Sequence, residues 1–132
     1  MTLQHRFLRP LLIGLACTLT ANCSDIFGHV CTLEARAGIV VEIRDGQTAT
    51  PVADSATGAV VEMTFMDSLL PAGTDSLGRL LSRAAAFERA GIYTVFVTRH
   101  GYTNWSQGGV RVTRGECHVN TVRLTAGLQP AP

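Results

Sequence analysis

The chain has 132 residues, eleven arginines and no lysine against ten acids, a formal charge of +1, and 46% apolar residues. That length carries one domain rather than two. The arginines are scattered among acids, so no basic face gathers phosphates and nucleic acid is excluded as a partner; the missing lysine reads as a codon-composition bias, not a demand for guanidinium.

Residues 1–9 carry Arg6 and Arg9 with no acid, and residues 10–21 (PLLIGLACTLTA) are nearly all apolar or small. Together they read as the basic tip and greasy stretch of a secretory signal over residues 1–22, in preference to an amino-terminal core helix or strand. The run breaks at Asn22, Cys23, Ser24 and Asp25, short of the roughly 20 apolar residues that span a bilayer. Two cysteines compete as lipidated first residue. Cys17 follows Gly14-Leu15-Ala16 but leaves a short apolar stretch, whereas Cys23 follows Thr20-Ala21-Asn22 and is better placed. The expectation is a lipoprotein anchored through Cys23, with Cys17 or plain cleavage to a soluble periplasmic or secreted form as alternatives. After residue 22 the nine remaining arginines and ten acids leave −1.

Residues 23–30 read as a linker, 31–127 as the folded domain and 128–132 as a tail. Cys31 and Cys117 bracket the domain, and in an oxidising compartment they are expected to bridge. Closing such a loop stabilises by up to about 4.5 kcal/mol on the chain-entropy account.

Between the cysteines the pattern is strands and turns. Residues 38–45 put Ile39, Val41 and Ile43 on one face and Val40, Glu42 and Arg44 on the other, the period of a half-buried strand, and Asp45-Gly46 supplies a turn. Residues 59–65 repeat the alternation, with Val61, Met63 and Phe65 facing one way, and a turn follows at Pro71-Ala72-Gly73. Residues 80–90 (LLSRAAAFERA) are helical on propensity alone, with Gly91 as a stop, yet the spacing of six or seven short strands around them argues for a sandwich in which they begin as strand. Residues 91–98 (GIYTVFVT) are apolar on both faces and suit a central strand. Residues 110–113 form a short strand entering the Arg114-Gly115 turn, and residues 117–124 the last.

These residues carry a resemblance. Val41-x-x-x-Asp45, Pro51-Val52, Ala59-Val60-Val61, Thr74-Asp75-x-x-Gly78-Arg79 and, most specifically, Ala90-Gly91-x-Tyr93-Thr94-Val95-x-Val97-x-x-x-Gly101-Tyr102 resemble the carboxypeptidase regulatory-like domain of the transthyretin-like (prealbumin-like) superfamily, over about residues 37–124. The Cys117-His118-Val119 ending with an early cysteine is similar to small bacterial lipoproteins carrying this domain alone. The resemblance implies an all-β fold, a seven-stranded antiparallel β-sandwich of Greek-key topology, without chemistry of its own. In it Gly101 permits a left-handed backbone, and Tyr93 and Tyr102 bury their rings while the hydroxyls find partners.

The candidate recognition surface is the polar loop 100–109, with His100, Tyr102, Asn104 and the only tryptophan, Trp105; such loops on rigid sandwiches carry binding, here of a protein, peptide or glycan. The bland alternative has Trp105 folding back over a sandwich end. His29, Cys31, Cys117 and His118 offer the two-nitrogen, two-sulfur set of tetrahedral zinc, but adjacent strand residues point to opposite faces and the disulfide is the better use of the cysteines, so no metal or other cofactor is expected. The superfamily's hydroxyisourate hydrolases end in Tyr-Arg-Gly-Ser, whereas this chain ends Gly127-Leu128-Gln129-Pro130-Ala131-Pro132, and no nucleophile elbow, phosphate loop or His-Glu-x-x-His helix is present. The sequence thus describes a non-catalytic cell-envelope β-sandwich module, membrane-anchored through lipid. Its rival is a periplasmic small-molecule hydrolase or accessory enzyme subunit of the same fold, distinguished by a concave site where His100 or His118 meets an arginine or an acid; a module shows a flat face or an exposed aromatic loop instead.

Overall fold

The computed structural model describes residues 30–132, with one compact unit over Cys31–Pro132. The signal segment 1–22, linker residues 23–29 and the lipidation positions Cys17 and Cys23 lie outside the described residues.

All regular structure among the described residues is strand: β1 (Ala37–Asp45), β2 (Thr57–Glu62), β3 (Phe65–Ser68), β4 (Leu70–Thr74), β5 (Leu80–Phe87), β6 (Gly91–Thr98), β7 (Trp105–Arg114), β8 (Val119–Asn120) and β9 (Val122–Leu128). They form two sheets, ordered β4-β5-β1-β9 and β3-β2-β6-β7-β8, that sandwich one core. Ile39, Val41 and Ile43 of β1 with Ala126 and Leu128 of β9 face Val60 of β2, Tyr93, Val95 and Val97 of β6, and Val110 and Val112 of β7, all buried. The β1 alternation read from the sequence is the alternation observed, and β6 lies between β2 and β7 within its sheet. Among the described residues every buried side-chain polar atom has a partner.

Two features of the expected fold are corrected. There are nine strands among the described residues rather than seven, and the arrangement is not wholly antiparallel, since β1 runs parallel to β9 from Ile39↔Val122 to Asp45↔Leu128. Parallel neighbours need a long crossover, and here the first and last strands pair with the rest of the domain as their connection.

The expected strand 59–65 is two strands. Glu62 pairs with Phe65 across a turn at Met63 and Thr64, so Val60 is buried, Val61 half-buried on the other face, and Met63, at φ 53°, 96% exposed. The Pro71-Ala72-Gly73 stretch is not a turn but lies in β4, an edge strand whose register shifts at Pro71 and Gly73; proline and irregularity both blunt a sheet edge.

Residues 80–87 are strand despite their helical propensity. Ala84 pairs with Leu70 on one side and Val40 on the other, and ladders on both edges outweigh a propensity of a few tenths of a kcal/mol per residue. The strand closes irregularly: Ala86 has φ 55° and its N–H donates to Asp67 Oδ2 of β3 at 2.9 Å, reaching the other sheet.

β7 begins at Trp105, so half of the expected loop 100–109 is strand. The β6–β7 register shifts between Tyr93 and Val95, opposite Gly109 at φ 69°, a bulge that glycine permits at no steric cost. The last strand is divided into β8 and β9, with Cys117 and His118 in the bend before β8. The tail is part of the domain: β9 runs to Leu128, Pro130 bridges to Tyr102, and Ala131 N–H donates to Gly101 O at 2.9 Å.

Candidate functional site

The four residues of the expected recognition loop separate. Gly101 takes φ 79° at the turn. That sends the half-buried Tyr102 inward, where its hydroxyl donates to Asp45 Oδ2 at 2.8 Å and its ring lies under Arg99, 5.2 Å from the guanidinium carbon. Asp45 Oδ1 accepts from Thr48 N–H and Gln47 N–H, each at 2.8 Å. The Thr48 N–H, then the Tyr102 hydroxyl and the Gln47 N–H, pull the Asp45 carboxyl down to about 2, because all three favour the charged form. Donation to that carboxylate pushes the Tyr102 phenol up. Trp105 is half-buried against the core, while His100 and Asn104 are exposed. The loop is therefore half support and half surface, and the tail pins it through Thr103 N–H to Gln129 O at 2.8 Å.

Chemistry concentrates at another place. Cys31 and Cys117 are joined by a disulfide across 86 residues, with Cα atoms 5.2 Å apart. The bond takes both sulfurs out of the two-nitrogen, two-sulfur arrangement, and His29 lies outside the described residues. Since each bonded cysteine brings its successor with it, Thr32 and His118 meet: Thr32 Oγ1 is 3.0 Å from His118 Nε2. His118 Nδ1 in turn is 2.7 Å from Glu88 Oε1.

Glu88 lies in the turn between β5 and β6 at φ 50°. Its N–H donates to Arg36 O at 2.9 Å, while its Oε1 accepts Arg36 N–H at 2.6 Å and its Oε2 accepts Val119 N–H at 3.4 Å. The Arg36 N–H, with His118 adding to it, holds the Glu88 carboxyl below the usual carboxylate range against the opposing effect of desolvation. An ionised carboxylate on Nδ1 makes that nitrogen the donor, and in the neutral imidazole the Nε2 lone pair then faces the Thr32 hydroxyl. The His118 side chain is 14% exposed, and Thr32 is open to solvent.

Sequence reasoning singled out His118, as a zinc ligand and as the histidine whose meeting with an acid would favour an enzyme, but named neither Thr32 nor Glu88. For Thr32 a signal existed, since the residues following two bridged cysteines are brought together. For Glu88 there was none, because the composition of residues 80–90 suits helix and strand alike and carries no turn signal at that position. No family model matches the chain, and no curated protein matches it.

Proposed function

We propose that the chain is an exported cell-envelope module, anchored through lipid on Cys23 and presenting a disulfide-closed β-sandwich to a protein partner. The observation that carries this reading is the solvent face of the five-stranded sheet. Ile92 and Phe96 of β6 are 46% and 43% exposed, Met66 of β3 is 71% exposed, and Val61 stands between them by register. Arg111 pairs with Ile92 on the same face. Exposed large apolar side chains gathered on one sheet face are a feature of surfaces that meet other proteins.

Relationship to the transthyretin-like superfamily, in its carboxypeptidase regulatory-like branch and with its Greek-key connectivity, belongs to the same proposal. Its support is the two-sheet sandwich and the meeting of Asp45 with Tyr102, both residues of the resembling motif, 57 positions apart. Intact mass spectrometry of protein recovered from membranes, before and after reduction with alkylation, tests the module. A chain from residue 23 carrying diacylglyceryl and acyl mass, with two alkyl groups added only after reduction, is expected. An unlipidated chain with two free thiols overturns the reading.

A second reading, a small-molecule hydrolase on the same scaffold, is favoured by the Thr32–His118–Glu88 chain of hydrogen bonds.

A further inference from the structure

A hydroxyl becomes a nucleophile when a base lies within hydrogen-bond reach and a third group orients that base. Thr32, His118 and Glu88 satisfy both distances, at 3.0 Å and 2.7 Å. Packing does not account for the imidazole: Thr32 is exposed, so water would serve its hydroxyl equally well, and Glu88 already holds Arg36 without it, through its own N–H to Arg36 O and through its carboxylate from Arg36 N–H. A second observation is strain. Ala86 and Glu88 are both left-handed, a conformation that disfavours residues other than glycine and that gathers at functional sites.

The geometry points to Thr32 as a nucleophile toward carboxylic esters with acidic leaving groups, with His118 as its general base and Glu88 as the positioning residue; this rests on the hydrolase reading and deepens it. Thr32 Oγ1 attacks the ester carbonyl carbon as its proton passes to His118 Nε2. The bond to the leaving oxygen breaks, and that oxygen takes the proton back from the imidazolium, leaving an ester on Thr32. Water attacks this ester with His118 again as base, and the Thr32 oxygen departs with the proton. The sum is ester plus water giving acid plus alcohol, without redox change. Leaving groups of phenol-like acidity suit a site open to solvent, because they demand least stabilisation of the developing oxyanion.

The test uses the oxidised, full mature chain with p-nitrophenyl acetate, reading nitrophenolate release together with intact mass and peptide mapping. A burst with one acetyl group on the Thr32 peptide is expected, followed by steady release. Thr32→Val, which alters an exposed residue outside any strand, loses the acetyl group and the burst, whereas Thr32→Ser keeps both. Glu88→Gln slows acylation by about tenfold or more and moves the pH profile of acylation, a readout that a purely structural role for Glu88 would leave in place. Acetyl-Thr32 without steady release upholds the nucleophile and rejects the hydrolase. Release that persists unchanged in Thr32→Val rejects the nucleophile and upholds the hydrolase. A folded, oxidised protein that gains no acetyl group on Thr32 and releases no nitrophenolate above buffer overturns both.

Discussion

The Tyr102 hydroxyl donates to Asp45 Oδ2 at 2.8 Å, tying the loop after β6 to the turn that ends β1. Asp45 also organises that turn through the Gln47 and Thr48 amides, so one carboxylate holds two loops at the same end of the sandwich.

Its charge should make the fold acid-sensitive. The folded-state value of Asp45 is depressed from 3.8 to about 2, so the stability it contributes is complete above its ordinary value and is lost as pH falls through about 2. Asp75 and Glu88 are shifted in the same direction. Acid unfolding followed by Trp105 fluorescence should set in below about pH 4. Tyr102→Phe removes a donor, raises the folded-state value and moves the transition to higher pH; an unchanged transition in that variant would show that the bond contributes nothing.

Replacing Cys31 and Cys117 by serine should cost about 2–4 kcal/mol in urea unfolding, because the crosslink closes most of the domain into one loop. The same variant should release Thr32 from His118, which two-bond nitrogen–proton spectra of the imidazole would report. Equal urea midpoints for both proteins would mean that the clamp at Glu88 and Arg36 holds the amino-terminal segment alone.

The register of β2 makes neighbouring valines unequal. Val60→Asp places a charge among Tyr93, Val95 and the β1 residues and should prevent folding, since a buried, unpaired carboxylate costs several kcal/mol. Val61→Asp lies on the outer face and should cost no more than about 1 kcal/mol. Thermal melts of the pair decide the matter, and the reverse ranking would place the strand one residue out of register.

Met63 is left-handed and 96% exposed. Met63→Gly should therefore stabilise by up to about 1 kcal/mol, the relief of a left-handed side chain less the added freedom of glycine in the unfolded chain. A lower melting temperature for this variant would refute the turn assignment.

How much of this was legible depends on the residue. The apolar alternation of β1 and the two-sided run of β6 were readable because a period of two has one structural meaning when β-branched residues carry it. The Met63 turn was not, since it lacks the Asn-Gly or Asp-Gly pair that marks a two-residue hairpin, and a strand running through it reverses the facing of every later side chain. Strand β5 was ambiguous because its three alanines favour a helix in isolation, and only ladders on both sides decided otherwise. The site divides likewise. Tyr102 and Trp105 stood out by type and turned inward, whereas Thr32 and Glu88 have ordinary surface composition and acquire a role only from their neighbours.

By itself the chain determined its sheet-forming character, the bracketing pair of cysteines and the residues able to fill a core, because periodicity and residue type act locally. Tertiary structure alone decided that the first and last strands run parallel, that Asp45 lies beneath Tyr102, and that a threonine, a histidine and a glutamate line up beside the disulfide. Those relationships join residues 30 to 86 positions apart and come from closing the sandwich, which no local pattern encodes.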